Sequence, residues 1–398
     1  MSTLRKIFHF NPTCELALVN GSPYYQAPAL LRQFEEELAP IMLFFATAND
    51  HVLKENPISE DFKNQLNLLG LPANSIVSRK ESLEIVQHEP VLLHPWGWSP
   101  AESNYLSAYT QPAERDDLTH HLANSNLFER KHAVSFCHEL MAEHPLDIFP
   151  EEEKRPRLIQ DLPAIEVFLN QHKQIVLKTP LSSSGRGLQV IRKQQLNESN
   201  KRWIKTMLDQ QGYLVAEPLF QKKTDLSFQF KLKASGELVY HGISYFETNS
   251  NGQYQGHHIN PSSSISNRYF SKETFADVAQ LLKNQLKKSN FYKQYQGFLG
   301  IDALIYETEG KIKLQACLEI NPRFNMGILS QKISQKLHPE SQGMYQTYFH
   351  PKISYKKFVE EQAKKNPPLM ADLRLQKGFV SLSSPGDDSK FGAYLLLD

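Results

Sequence analysis

Two long strand-like runs, GFLGIDALIYE (297–307) and KIKLQACLEIN (311–321), stand on either side of Thr308-Glu309-Gly310-Lys311. Only an antiparallel hairpin with Glu309-Gly310 as a two-residue loop joins two such runs so closely, and this pairing constrains the fold more than any other feature of the chain. Alternate side chains of a strand point to opposite faces, so Glu319 and Asn321 share one face while Leu318 and Ile320 share the other. The loop sets a register in which Asp302 lies opposite Cys317 and Gly300 opposite Glu319. Residues paired across two strands share a face, so Asp302 and Glu319 become diagonal neighbours at ~7–8 Å. A one-residue slip would reverse every side chain, so the reading requires an even turn and no odd bulge.

Two carboxylates gathered on a half-buried face repel one another and lose hydration unless a cation neutralises them. Asp302, Glu319 and the Asn321 carbonyl are hard oxygen donors of the kind Mg²⁺ takes, with phosphate and water completing its shell. Arg323, two positions further along the same face, offers a bidentate fork for phosphate or an oxyanion. The competing reading is an amphipathic strand whose polar face is merely solvated.

Upstream, residues 1 to about 110 alternate between short apolar runs and helical periodicity. KIFHF, PIMLFFAT, NSIVS and PVLLHP read as strands, with PALLRQFEEEL and SEDFKNQLNLLG as helices between them. Alternation of this kind predicts an open, parallel α/β sheet. His94-Pro-Trp-Gly-Trp-Ser-Pro100 leaves the last strand as a rigid aromatic turn. Residues 111–130 are polar and read as a linker. Beyond it come helices over ERKHAVSFCHELMAEH and DLPAIEVFLNQH, the strand QIVLK, the loop TPLSSSGRG, the strand LQVIRK, a helix ending at Gly212 and the strand YLVAEPLF. A strand-rich region starts at Thr224, with a hairpin turn at Ser235-Gly236 and a polar loop over 248–267. The tail beyond about 330 reads as two helices and a hairpin around Pro385–Asp388.

The stretch Ser182-Ser183-Ser184-Gly185-Arg186-Gly187 supplies small residues and free backbone N–H groups, which a phosphate cradle requires. It is neither a Walker A loop nor a dinucleotide-binding fingerprint, because a strand rather than a helix follows it. Beside Lys178 it suits a lid over a triphosphate; a plain turn is the alternative. In Val215-Ala-Glu-Pro-Leu-Phe220, Pro218 marks a strand edge whose unpaired backbone could read the rim of a purine.

The order of Lys131, IVLKTPLSSSGRGL, VAEPLF with Asp225, GIDALIYE and LEINPRF resembles the ATP-grasp superfamily over roughly residues 125 to 330. The resemblance implies an α/β N-terminal domain (1–115) followed by an α+β ATP-grasp fold of two subdomains that clamp ATP. Their expected bounds are 125–220 for the lid with its glycine-rich loop, and 221–398 for the metal-bearing subdomain and C-terminal extension. It implies that Lys131 and Lys178 contact ATP phosphates and that Ser182, Ser183, Ser184, Gly185 and Gly187 cover them. Glu217 would accept from the adenine amino group, Pro218, Leu219 and Phe220 would form the hinge, and Asp225 would bind the ribose. Asp302, Glu319 and Asn321 would hold Mg²⁺, for which Mn²⁺ can substitute. Arg323 would steady an acyl phosphate, giving Arg323 and Lys178 the catalytic roles. Two positions depart from the family pattern: Asp225 stands where Glu is common, and Gly300 where many members carry Arg.

That pattern makes an ADP-forming ligase of small-molecule carboxylate and amine substrates the leading expectation. A kinase of a small metabolite and a non-catalytic ATP-binding regulator are the alternatives, the latter suggested by Gly300. The 44 basic and 43 acidic residues nearly cancel to +1, which argues against a general attraction to nucleic acid or anionic membrane. Cys14, Cys137 and Cys317 are widely spaced and read as free thiols of a reducing compartment. With no signal-peptide pattern and no membrane-length apolar run, the cytoplasm is the expected location. Among the 15 histidines, His120-His121 and His257-His258 are expected on exposed loops. The sequence leaves the acceptor and the oligomeric state, a homodimer included, open.

Overall fold

A computed structural model describes residues 4–110, 125–182 and 187–398. In chain order its strands are β1 (Arg5–His9), β2 (His51–Leu53), β3 (Ile76–Val77), β4 (Val91–Pro95), β5 (Arg157–Ile159), β6 (Ile175–Lys178), β7 (Leu188–Ile191), β8 (Leu214–Pro218) and β9 (Gln221–Leu232). They continue as β10 (Leu238–Thr248), β11 (Tyr254–Ile259), β12 (Gly297–Thr308), β13 (Lys311–Asn321), β14 (Gly343–Phe349), β15 (Leu369–Ala371), β16 (Arg374–Ser381) and β17 (Phe391–Leu397). The chain forms two compact units. One takes the described residues of Met1–Ser125, Gln255–Ser262 and Phe324–Asp398; the other takes Asn126–Tyr254 and Ser263–Arg323. Residues 324–398 therefore cluster with the N-terminal segment, although chain order groups them with residues 221–323.

The first unit contains a four-stranded sheet in the order β3-β2-β1-β4, parallel throughout as the alternating pattern requires. One expected strand is absent. PIMLFFAT continues the helix Ala29–Leu38 as a 3₁₀ turn over Ala39–Phe44, and the strand is instead the short His51–Leu53. Pro40 lacks the N–H a central strand needs, and a fully buried apolar run carries no period to tell strand from turn. The C-terminal segment is richer in strands than expected: β14, β15, β16 and β17 join β11 in antiparallel pairings. β11 occupies part of the expected polar loop, and its His257 pairs with Tyr345. Burial, aided by the neighbouring His258, lowers His257 to about 3, so this residue is core rather than an exposed loop.

The second unit carries two antiparallel layers. β5-β8-β6-β7 packs against the helices Leu162–His172 and Glu198–Gln211 through a core that includes Ile165, Phe168, Ile204 and Leu214. β13, β12, β9 and β10 pair in that order as the other layer. Leu226, Phe228, Phe230, Ile301, Ala303 and Ile305 point from one of its faces into a core shared with the helices Arg130–Glu143 and Lys272–Lys288. The alternate residues on the opposite face are Asp225, Ser227, Gln229 and Asp302. All three cysteines are buried and free. Among the described residues, no helix is long and apolar enough to cross a membrane.

Candidate active site

The predicted hairpin forms around Glu309 and Gly310, whose positive φ values of 52° and 74° are those of a two-residue turn with the twist of its strands. Near the turn the register is as expected, from Thr308 opposite Lys311 to Leu304 opposite Gln315. A bulge then intervenes: beyond it Asp302 pairs with Glu319, Ile301 with Ile320 and Gly300 with Asn321. The slip amounts to two residues. Two is even, so every side chain keeps its face, and Asp302 and Glu319 become direct partners rather than diagonal ones. Asn321 Nδ2 donates to Asp302 Oδ2 at 3.0 Å. That bond leaves the Asn321 carbonyl oxygen without a partner among the described residues.

Burial first, and the Glu319 charge second, raise Asp302 to about 6; bonds from Ser227 and Asn321 and the charge of Arg323 hold it down only in part. A carboxyl pushed up by a neighbouring carboxylate is the signature of an anionic pair suited to a cation. Among the described residues no three His, Cys, Asp or Glu side chains gather as a metal cage. Two carboxylates and an amide oxygen are nevertheless the partial donor set that Mg²⁺ takes when phosphate and water complete it.

Arg130 was not singled out from the sequence, yet it is a buried cation of this region. It is 6% exposed, and its guanidinium donates to Thr179 O at 2.6 Å, Ser182 Oγ at 3.0 Å and Glu319 Oε1 at 2.9 Å. One side chain thus ties the helix Arg130–Glu143 to the start of the glycine loop and to β13. Lys131, the residue expected from the resemblance, pairs instead with Glu129 at 2.8 Å and is 41% exposed along its side chain. One helical step turns a residue by about 100°, and Arg130 rather than Lys131 begins the buried stripe Ala133, Val134, Cys137 and Leu140. That periodicity was the available signal. Arg130→Met should lower the unit's stability by about 2–4 kcal/mol, since three charge-assisted bonds are lost and a carboxylate is left unpaired. Arg130→Lys should recover little, because an ammonium lacks the planar fork. Urea denaturation measures both.

Lys178 and Glu217 sit on adjacent strands, 9% and 4% exposed, and form an ion pair at 2.7 Å. The structure thus brings the expected phosphate lysine to the expected adenine acceptor. Pro218 ends β8, which lies inside its sheet rather than at an edge. Because β5 stops opposite Ala216, only β6 flanks Glu217 and Pro218, and the edge character is local. The backbone of 218–220 is less open than expected: Leu219 N–H donates to Gln174 O at 2.9 Å, and Phe220 O accepts from Lys222 N–H at 2.9 Å. The Phe220 ring stacks on Tyr306 with centroids 3.9 Å apart.

Asp225 lies on the same sheet face as Asp302 and takes Lys222 Nζ at 2.6 Å and Thr248 Oγ1 at 2.7 Å. Ser182 is buried against Arg130. At Gly187 the carbonyl accepts from Thr179 N–H at 2.9 Å, and a β-carbon there would collide with Thr179 Oγ1 and Ser182 Cβ. Only glycine permits this closure of the loop. Ser183, Ser184 and Gly185 lie outside the described residues, as do His120-His121. β13 ends at Asn321, and Arg323 N–H turns back onto Asn321 O at 2.9 Å, so Arg323 follows the strand instead of extending it. Its charge still reaches Asp302.

Compared with known proteins, the sequence matches no family model and no curated protein. Its fold does match solved structures. N5-carboxyaminoimidazole synthetase from Staphylococcus aureus superposes with a TM-score of 0.51 at 12% identity, over 100% of this chain and 94% of that one. Biotin carboxylase from Campylobacter jejuni, in a β-γ-ATP complex, gives 0.54 at 12% identity, over 100% and 88%. The biotin carboxylase domain of Hydrogenobacter thermophilus 2-oxoglutarate carboxylase, in complex with MgADP, ADP and bicarbonate, gives 0.53 at 12% identity, over 100% and 87%.

Proposed function

Starting from a chain that carries the ATP-grasp fold, we propose an ATP- and Mg²⁺-dependent ligase that joins a small-molecule carboxylate to an amine and releases ADP and phosphate. The observation that carries this reading is the direct pairing of Asp302 with Glu319, flanked by Asn321, on the sheet face that also presents Asp225. A face with a hydroxyl acceptor at one position and a metal-type donor set further along is suited to a nucleotide triphosphate. The fold neighbours support the reading, since their complexes hold β-γ-ATP, ADP or MgADP.

In this reading Asp302, Glu319 and the Asn321 oxygen hold Mg²⁺, which when bound neutralises phosphate charge. Lys178 and Arg130 bind phosphate oxygens, Arg130 exchanging its Glu319 contact for one to the nucleotide, and Lys131 remains a peripheral charge. The residues between Ser182 and Gly187 cover the phosphates and exclude water. Glu217 accepts from the adenine amino group, with Pro218, Leu219 and Phe220 along its rim, and Asp225 accepts from the ribose hydroxyls. A substrate carboxylate oxygen attacks the γ-phosphorus and ADP leaves. The amine then attacks the acyl carbon, loses a proton and displaces phosphate, with Arg323 steadying the oxyanion. Positioning and charge neutralisation account for the catalysis, so no protein nucleophile is needed.

The test is a screen of carboxylate and amine mixtures with ATP, in which the expected result is ADP and phosphate in step with amide. AMP and pyrophosphate would refute it. Oxygen from an ¹⁸O-carboxylate should appear in the released phosphate, whereas a kinase would leave none there. Gly300, which faces Asn321 and Gln229 across its two neighbours, favours a second reading as a nucleotide-binding regulator without turnover. Thermal stabilisation by MgATP without ADP release across the whole screen would favour that one.

A further inference from the structure

In the first unit, the loops that leave the C-terminal ends of β1 and β4 bound a cavity of about 330 Å³. In the order β3-β2-β1-β4, the chain steps outward from β1 through β2 to β3 and then crosses back to β4 on the other side of β1, which makes the β1–β4 boundary the switch point where parallel sheets open a crevice. Phe10, Ala17, Ala27, Ala39, Leu53 and Tyr105 give the cavity an apolar lining. Its charges are unevenly distributed. Glu102, only 6% exposed, accepts His9 Nδ1 on Oε1 at 2.6 Å, and the His9 ring stacks on Tyr105 with centroids 5.0 Å apart. Glu35 accepts Thr13 Oγ at 2.6 Å and Thr13 N–H at 3.2 Å, both on Oε1. The second oxygens of Glu35 and of Glu102 have no hydrogen-bond partner among the described residues. Glu36 and Arg32, further along the wall, are already engaged, by Lys54 at 2.8 Å and by Ala27 O at 2.9 Å.

We propose that this cavity is a binding site for a small ligand with a primary ammonium head and a short apolar stem, the head held between Glu35 and Glu102. Burial opposes the charge on His9, but Glu102 and the more distant Glu35 and Glu36 outweigh it and hold the ring protonated above the usual range. Burial likewise raises Glu35, with the charge of Glu102 adding to it against the Thr13 bonds and His9. With Lys54 paired to Glu36, the cations His9, Arg32 and Lys54 face the carboxylates Glu35, Glu36, Glu55 and Glu102, a deficit of one positive charge that a monocation fills. A divalent metal would sit against the imidazolium and leave the apolar wall unused. An ammonium's three donors serve both open carboxylate oxygens with one to spare, and a cavity of this size accommodates a ligand of several heavy atoms.

The inference concerns binding in the first unit alone and is independent of the ligase reading. The probe is n-butylammonium, with n-butanol and butyrate as neutral and anionic controls, observed by saturation-transfer NMR on the full chain without nucleotide. n-Butylammonium should give a saturable signal that the controls lack, and Glu102→Gln or Glu35→Gln should weaken it at least tenfold. Ala27→Phe fills the apolar end without touching a charge and should also abolish it; its thermal melt establishes folding, so it decides the matter if the glutamate variants do not fold. Equal signals from n-butanol, displacement of the amine by Mg²⁺, or full binding in folded Ala27→Phe would overturn the proposal. MgATP binding measured on the same samples is expected to be unchanged, which separates failure of this site from failure of the nucleotide reading.

Discussion

Glu319→Ala is expected to weaken Mg²⁺-dependent ATP binding by at least roughly 100-fold, the upper end of what altered metal surroundings cost. It should also destabilise the second unit. From the hairpin alone the change looks harmless to the fold, because Glu319 occupies a half-buried polar face. The structure shows otherwise: Glu319 accepts from Arg130, which is 6% exposed, at 2.9 Å. Removing the acceptor strands a buried guanidinium, which in a fully buried pair costs about 3–5 kcal/mol. The Glu319 side chain is 25% exposed, so solvent screening reduces the expected loss to about 1–2 kcal/mol. Glu319→Gln keeps an oxygen for Arg130 and should retain most of the stability while still losing metal affinity. Calorimetric titration with MgATP and urea denaturation separate the two effects. Undiminished Mg²⁺-dependent binding by the alanine variant would remove β13 from the site.

Asp302→Asn should change stability in the opposite direction. The folded carboxyl is raised to about 6 by burial foremost and by Glu319 second. Below about pH 4 it is protonated in both the folded and the unfolded chain, and folding carries no penalty. Between about pH 4 and pH 6 the unfolded form loses its proton first, and the stabilisation of the protonated carboxyl is lost. Above that window the full penalty remains, with a ceiling of about 3 kcal/mol from the raised carboxyl and an expected value of about 1–2 kcal/mol because the Asp302 residue is only partly buried. Asparagine cannot ionise and still accepts from Asn321. The metal-free variant should therefore resist urea better than the parent near pH 7.5, with the gap closing by about pH 4. Added Mg²⁺ should stabilise the parent and not the variant. Superimposable denaturation curves at both pH values would show that the two carboxylates do not repel.

The pair of predictions shows how much of the site was legible in the sequence. The Thr308–Lys311 turn and the alternation on either side of it specified that Asp302, Glu319 and Asn321 share a face. Their direct contact was not legible, because a two-residue bulge moved the register, and bulges are set by how a strand bends over its core. Parity survived the shift, so the chemistry survived with it. Lys131 and Arg130 differ by one position, and that Arg130 is the buried one was legible only by reading the helix as a buried stripe rather than as a motif. The backbone bonds at Leu219 and Phe220 were not legible for a related reason: their partners, Gln174 and Lys222, leave no mark in a strand pattern alone.

The sequence by itself determined what short-range physics can encode: the parallel α/β alternation at the N-terminus, the hairpin turn and the even-odd division of each strand into core and polar faces. Only the tertiary structure decided that PIMLFFAT is a turn, that residues 324–398 cluster with the N-terminal segment, that Arg130 reaches Glu319 and that Glu35 and Glu102 meet His9 around a cavity. Those outcomes depend on groups far apart in the chain, whose desolvation and pairing energies have no trace in local periodicity.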